Sequence, residues 1–428
     1  MRHYNKKAFS GILLCIALLV VTWYFFMVGK MSAQNPGSAV ASVVTPTNQP
    51  GRIILSWSGD CATTQSATWR TSAEIGESFA ELTEAGNSPA FPRNKKTFAA
   101  KCESVESGEI TYYSHSITFT DLKPDTMYHY RVGQGSHWSE WLSFTTGSPS
   151  EEPFSFLYFG DTQGGLDTVF PRLVRKAFLS TPEARFAVFT GDLVDIGSNE
   201  CEWDAWFAAL EFLASHYPIM PVPGNHDHSD YKARDGTLKN LWRPLFTLPE
   251  NGPDSMKETC YTFVYNGVRM IGLDSENGAV VPWLEAVLKD NTCHWTIVYF
   301  HCPVYSPIKG RDYVGWRQAI KPIFDKYQVD LVLQGHDHVY SRTGQHTPKV
   351  DVVDLKNANE LDPDSRTVYV TSVAGEKMYE LDEKPFFVKT LTETQLFQVI
   401  TIDGGTLTLI AKTATGQVID TLVIEKTW

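Results

Sequence analysis

The first strong pattern is a run of 21 residues without a charge, Ala8 to Val28, preceded by Arg2, Lys6 and Lys7. At about 1.5 Å per residue such a helix is about 31 Å long, enough to cross the hydrocarbon core of a bilayer. The apolar part of a secretory signal is shorter, about 7–15 residues. Residues 1–30 are therefore expected to form a signal anchor. A cleaved signal is the alternative, because small residues near Ala33 and Ala39 to Ala41 suit cleavage. The basic flank belongs on the cytoplasmic side, so the bulk of the chain is expected outside. Residues 31–50, rich in Ser, Ala, Pro, Asn and Gln, read as a flexible tether.

From residue 51 to about 148 the pattern is all β. Ile53, Leu55 and Trp57 fall at every second position, as do Ile117 and Phe119, then Tyr128, Tyr130 and Val132. The stretch Leu122 to Val132 resembles the tyrosine-corner segment of fibronectin type III-like sandwiches. Gly147 to Pro153 reads as a linker. Beyond it, over 149–428, apolar runs at 154–159, 185–190, 217–222, 268–273, 295–300, 329–333 and 367–373 alternate with helical stretches such as Trp203–Ala214 and Val281–Leu288. That alternation predicts a layered α/β domain. Short strands return from Leu396 to Glu425, with a turn at Asp403 to Gly405.

Composition narrows the picture. A chain of 428 residues has room for two to three domains, and 43% hydrophobic with 20% charged residues fits a folded protein. A net charge of −12 argues against a nucleic-acid binder, which needs a basic face. Cys15 lies in the apolar run, and six further cysteines on an exported chain favour disulfides. Cys61–Cys102 is the expected bond. Cys201, Cys260, Cys293 and Cys302 allow three pairings, although Cys293 and Cys302 bracket a single strand and are poor partners.

Candidate chemistry gathers at the ends of the apolar runs. There stand Gly160-Asp161-Thr-Gln163, Gly191-Asp192-Leu-Val-Asp195, Gly224-Asn225-His226-Asp227, His301 after Val298-Tyr-Phe, and Gly335-His336-Asp-His338. Any one alone is a common turn. Five in succession, each at the carboxyl end of a predicted strand, can converge on one crevice. Carboxylate oxygens and neutral imidazoles suit Fe, Zn or Mn, and a carboxylate such as Asp192 can bridge two ions.

These motifs resemble those of the calcineurin-like metallophosphoesterases, most closely the purple acid phosphatases, which also carry a fibronectin-like N-terminal sandwich. The resemblance implies a layered β-sandwich flanked by helices behind an all-β sandwich, to which the uncharged run 8–28 adds a transmembrane helix in front. It implies two metal ions of unassigned identity. Asp161 and His338 would hold the first, Asn225, His301 and His336 the second, and Asp192 both. His226 would face substrate. Two positions depart from the pattern. The purple enzymes carry a Tyr where this chain has Asp195, so no strong purple band is expected. Asp195 is read as the partner that orients His226, with a metal bond or a plain turn as alternatives. Gln163 stands where many relatives have a metal-binding His, and either binds the first metal through its amide oxygen or bonds to water or substrate.

The implied reaction is hydrolysis of a small phosphomonoester by metal-activated hydroxide, with His226 protonating the departing oxygen. His228 and Arg311 are candidate substrate contacts, on loops following the third and fourth motifs. Phosphodiester hydrolysis on the same site is the alternative reaction. An extracellular binding protein with an inactive metal domain is the alternative of another class. Residues 8–28 would tether an uncleaved form to the membrane, and the cleaved form would be secreted or periplasmic. Oligomeric state is not legible.

Overall fold

The structure, a computed structural model, describes residues 44–228, 241–352 and 354–427. The expected membrane segment, residues 8–28, lies outside them. Among the described residues no helix is long and apolar enough to cross a membrane.

The first part is a sandwich of two antiparallel sheets. One sheet has the order β1 (Gly51–Ser56), β2 (Gln65–Ser72), β6 (Ile110–Phe119), β5 (Lys101–Ser107). The other has the order β4 (Lys96–Ala99), β3 (Phe79–Glu84), β7 (Met127–Gln134), β8 (His137–Trp138), with β9 (Leu142–Thr145) also on β7. Leu55, Trp69, Phe119, Tyr130 and Phe144 meet between the sheets. The tyrosine corner is present: the Tyr128 hydroxyl accepts the backbone N–H of Lys123 at 2.9 Å. The end of the expected tether is tied down. The Thr47 carbonyl accepts from Ser72 N at 2.7 Å, and Val44 N donates to Asp204 at 3.1 Å.

The second part stacks two larger sheets. The six-stranded one runs β12 (Ile219–Pro221), β11 (Ala187–Phe189), β10 (Phe154–Phe159), β20 (Leu396–Asp403), β21 (Thr406–Thr413), β22 (Val418–Glu425). The seven-stranded one runs β13 (Tyr261–Tyr265), β14 (Val268–Leu273), β15 (Trp295–Phe300), β16 (Leu331–Gln334), β18 (Val368–Thr371), β17 (Tyr340–Thr343), β19 (Phe387–Leu391). Side chains alternate in direction along each strand. Ile297 and Tyr299 therefore enter the core between the sheets, while Val298 and Phe300 pack under helices α4 (Val280–Lys289) and α5 (Val314–Tyr327). On the outer face of the six-stranded sheet lie α1 (Phe170–Ser180) and α2 (Glu200–Ala214), and the single turn α3 (Trp242–Leu245) follows later in the chain.

β10, β11 and β12 are parallel, as are β14, β15, β16 and β18. Each sheet therefore presents its strand carboxyl ends along one edge, where Asp161, Asp192, Asn225, His301 and His336 follow β10, β11, β12, β15 and β16.

The disulfide expectation is corrected. All six described cysteines are free. Cys102 pairs in register with His115, whereas Cys61 precedes β2, whose first residue Gln65 pairs with Phe119. Gln65, itself four residues beyond Cys61, already lies four residues along the sheet from the Cys102 row, or about 13 Å at the usual strand rise, and the two thiols do not meet. Cys102 Sγ instead contacts His115 Nδ1 at 3.0 Å.

Candidate metal centre

The donor atoms fall into two groups, Asp192 with His301 and His336, and Asp161 with Asp192 and His338, the atoms of each lying within 4.8 Å of one another. Asp192 belongs to both, the position of a bridging carboxylate. Sharp turns off the strands bring the loops this close. Asp161, Asp192, His336 and His338 have φ of +37°, +50°, +72° and +47°. Left-handed backbone is uncommon in residues with a Cβ and costs about 1–3 kcal/mol each, so four at one site mark a strained and over-determined constellation. Glycines give the needed clearance. A Cβ on Gly224 would lie 2.3 Å from Asp192 Oδ1, and one on Gly335 would lie 2.5 Å from Asp161 Oδ2.

Hydrogen bonds fix each ligand's orientation. His301 Nδ1 is 2.9 Å from the Thr190 carbonyl oxygen, which can only accept, so the ring's neutral tautomer presents an Nε2 lone pair to the site. That Nε2 lies 2.9 Å from His336 Nδ1, 3.1 Å from Asn225 Oδ1 and 3.2 Å from Asp192 Oδ2. One proton cannot serve so many acceptors, whereas a cation can. His338 repeats the device: Nδ1 donates to the Lys377 carbonyl at 3.1 Å, leaving Nε2 3.6 Å from Asp161 Oδ1. The His336 backbone N–H donates to Asp161 Oδ2 at 2.7 Å.

Electrostatics suit the same purpose. Burial lowers His336 well below its ordinary value and His338 to about 3, which keeps both imidazoles neutral. Burial opposes a charge on Asp192 and on His301, yet their mutual attraction holds the carboxylate well below the usual range and raises the imidazole to about 10. A bound metal would replace that imidazolium proton. Burial pushes Asp161 up, and neighbouring Asp192 adds to the effect while His301 opposes it.

Gln163 is buried in this cluster. Its Nε2 lies 3.0 Å from Asp192 Oδ2 and 3.1 Å from His338 Nε2, and its Oε1 has no hydrogen-bond partner. The two ends of an amide have the same shape, so rotation would present Oε1 to the ligand atoms. The donor set, the orphaned amide and the crowded His301 nitrogen fit two metal ions.

His226 sits beside this group. Its backbone N–H donates to Asp192 Oδ1 at 2.9 Å. Its Nδ1 lies 2.7 Å from the Asp195 carbonyl oxygen and 3.3 Å from Asp195 Oδ1. The Asp195 carboxylate is 55% exposed and belongs to neither donor group. His228 is buried rather than solvated, with Nε2 3.4 Å from Asp274 Oδ1. Arg311 is one third exposed. It contacts Asp337, between the two histidines of the last motif, at 3.2 Å, and stacks over Tyr379 at 4.6 Å.

Several contributors are not evident from sequence. The Thr190 and Lys377 carbonyls are backbone groups with no residue signature. Tyr379, whose ring centre is 4.9 Å from that of His338, comes from an irregular loop. Asp227 did have a signal, since it closes the Gly-Asn-His-Asp motif. It accepts from Gly224 N at 2.9 Å and from Leu193 N at 3.0 Å, stapling the second and third motif loops together. Burial, with Asp192 nearby, pushes its carboxyl up to about 7.

Comparisons with known proteins agree with this geometry. Residues 154–340 match the calcineurin-like phosphoesterase family, and residues 50–146 match the purple acid phosphatase N-terminal domain. Purple acid phosphatase 21 of Arabidopsis thaliana is 30% identical over 56% of this chain and 58% of its own length. Probable purple acid phosphatase 20 of the same plant is 26% identical over 73% and 74%. The chain thus spans little more than half of the first relative. A purple acid phosphatase from yellow lupin seeds superposes with a TM-score of 0.73 at 19% identity, over 88% of this chain and 74% of that one. The structure of PhoD superposes at 0.64 and 11% identity, over 91% and 90%. The chain therefore carries a domain that matches the calcineurin-like phosphoesterases, behind one that matches the purple acid phosphatase N-terminal domain.

Proposed function

We propose that this protein is a binuclear metallophosphatase hydrolysing small phosphomonoesters outside the cytoplasm. The observation that carries the reading is Asp192, shared by two donor groups, with His226 hydrogen-bonded to the same carboxylate. Asp161, His338 and Gln163 would hold one metal, Asn225, His301 and His336 the other, and Asp192 both. When bound, two such ions would supply an activated water and neutralise phosphoryl charge.

The chain's own groups supply the rest. Asp195 orients His226 through Nδ1, so a protonated His226 can donate from Nε2 to the departing oxygen. Arg311 is held by Asp337 and Tyr379 beside the last motif, where a guanidinium can bind the phosphoryl or ester oxygens. His228, paired with Asp274, supports the loop leaving the His226 motif and is a second candidate substrate contact. Export rests on the apolar segment 8–28 with its basic flank.

The test is metal analysis and a visible spectrum of the purified protein, with turnover of a monoester and a diester substrate. Two ions per chain, no strong visible band and faster monoester turnover are expected. Faster diester turnover would make it a phosphodiesterase. No turnover of either by metal-loaded protein would remove the enzymatic reading. Asp192→Ala should lose at least one ion and more than about 100-fold in kcat, given what metal and hydroxide together supply.

A further inference from the structure

The loop that carries Asp195 is held from the first turn of α2. Glu202 accepts the backbone N–H of Asp195 at 2.6 Å and of Ile196 at 2.9 Å. Trp203 Nε1 donates to the Gly197 carbonyl at 2.9 Å, and Gly197 N donates to the His226 carbonyl at 2.9 Å. The fit is tight, because a Cβ on Gly197 would lie 2.2 Å from the Asp227 carbonyl oxygen. A shift of this helical turn would therefore carry the 195–197 loop, and with it the bond that orients His226.

The turn itself is fixed by the sandwich. Arg52 reaches Glu200 and Asp204 at 2.7 Å each, and Arg70 reaches Asp204 at 2.7 Å. All four side chains are at most 8% exposed. Two cations from β1 and β2 thus neutralise two carboxylates from the helix, at a depth where an unmatched charge would be strongly unfavourable. Arg52 is aimed deliberately. Its φ is +51°, at a break in the β1–β2 register between Gly51 and Ile54. Such bulges redirect a side chain at a local conformational cost. At the other end of the helix the Tyr130 hydroxyl donates to the Ser215 carbonyl at 2.7 Å.

We infer that the N-terminal sandwich is a positioning domain for the reaction: Arg52 and Arg70 hold the first turn of α2, and Glu202 in that turn holds the loop that orients His226. The inference rests on His226 as the proton donor to the leaving group. Arg52, Arg70 and Glu202 are positioning residues.

The test uses the full-length, metal-loaded protein and two monoesters. Dinitrophenyl phosphate has a leaving group that needs no proton, and glycerol 2-phosphate has one that does. His226→Gln should lower kcat for glycerol 2-phosphate by about 100-fold or more and affect dinitrophenyl phosphate far less, since general acids contribute about 10²–10⁴. Arg70→Met should reproduce that selectivity in weaker form, about tenfold on the alkyl ester and less than about twofold on the aryl ester. KM and metal content should be unchanged. Amide hydrogens of Asp195, Ile196 and Gly197 should exchange faster. Should Arg70→Met fail to fold, Glu202→Gln is measured in the same way. Equal losses on both esters, or no loss in the folded variant, overturn the inference and leave the His226 assignment standing. Equal losses in His226→Gln overturn that assignment and the inference with it.

Discussion

His115 lies at the centre of the sandwich sheet, fully buried, between Thr71 Oγ1 at 2.7 Å and Cys102 Sγ at 3.0 Å. Burial lowers its pKa to about 4. An unfolded chain would protonate it near 6.5. Between those values the unfolded state binds a proton that the folded state refuses, so stability falls as pH drops from about 6.5 to 4. Above 6.5 the ring contributes nothing to the slope. The full difference is of order 3 kcal/mol. His115→Gln, which cannot titrate, should flatten this part of the melting-temperature profile. An unchanged profile would mean that the ring is charged in the fold. The centre uses imidazoles in the same way, because burial keeps His336 and His338 neutral. These histidines stood out as candidates in the sequence, since both belong to the short Gly-His-Asp-His motif that follows an apolar run. The tautomers of His301 and His338 were not legible, because they depend on the Thr190 and Lys377 carbonyls, 111 and 39 positions away.

At the scale of elements, buried parallel strands are near-continuous apolar runs, and this made β10, β14 and β15 readable to the residue. Helix α5 was harder, because Pro322 lies inside it and proline normally ends a helical reading. The loops after the strands act as a unit through Asp227. Asp227→Asn keeps the volume but places an amide N–H₂ against backbone donors. Supporting residues of this kind typically contribute 10–100-fold to metal affinity. The variant should therefore bind its weaker metal about 10–100-fold less tightly in titrations, with the sandwich intact. Metal affinity equal to wild type would show that the staple is dispensable.

For the whole molecule, a metal pair joining loops from both sheets should act as a clamp. At a free metal concentration 100 times Kd, binding to the folded state alone adds about 2.7 kcal/mol. That corresponds to a rise of about 5 °C in Tm for a domain of this size, to be read by calorimetry before and after chelation. A chelated protein melting at the same temperature would mean that the loops are held without metal. The sandwich is part of the same body: Trp57 packs with ring centres 5.4 Å from both Phe186 and Tyr265 of the second part.

The apolar runs that became buried strands, the candidate donor types and the all-β stretch ahead of an α/β one were legible in the sequence alone, because apolar periodicity and glycine-flanked motifs are local properties. Tertiary structure decided the rest. It left the cysteines free, since register separates Cys61 from Cys102. It set Asp195 against His226 rather than among the metal donors. It also joined Arg52 to Glu200 across 148 positions. Such contacts depend on which surfaces meet after folding, and no spacing along the chain encodes them.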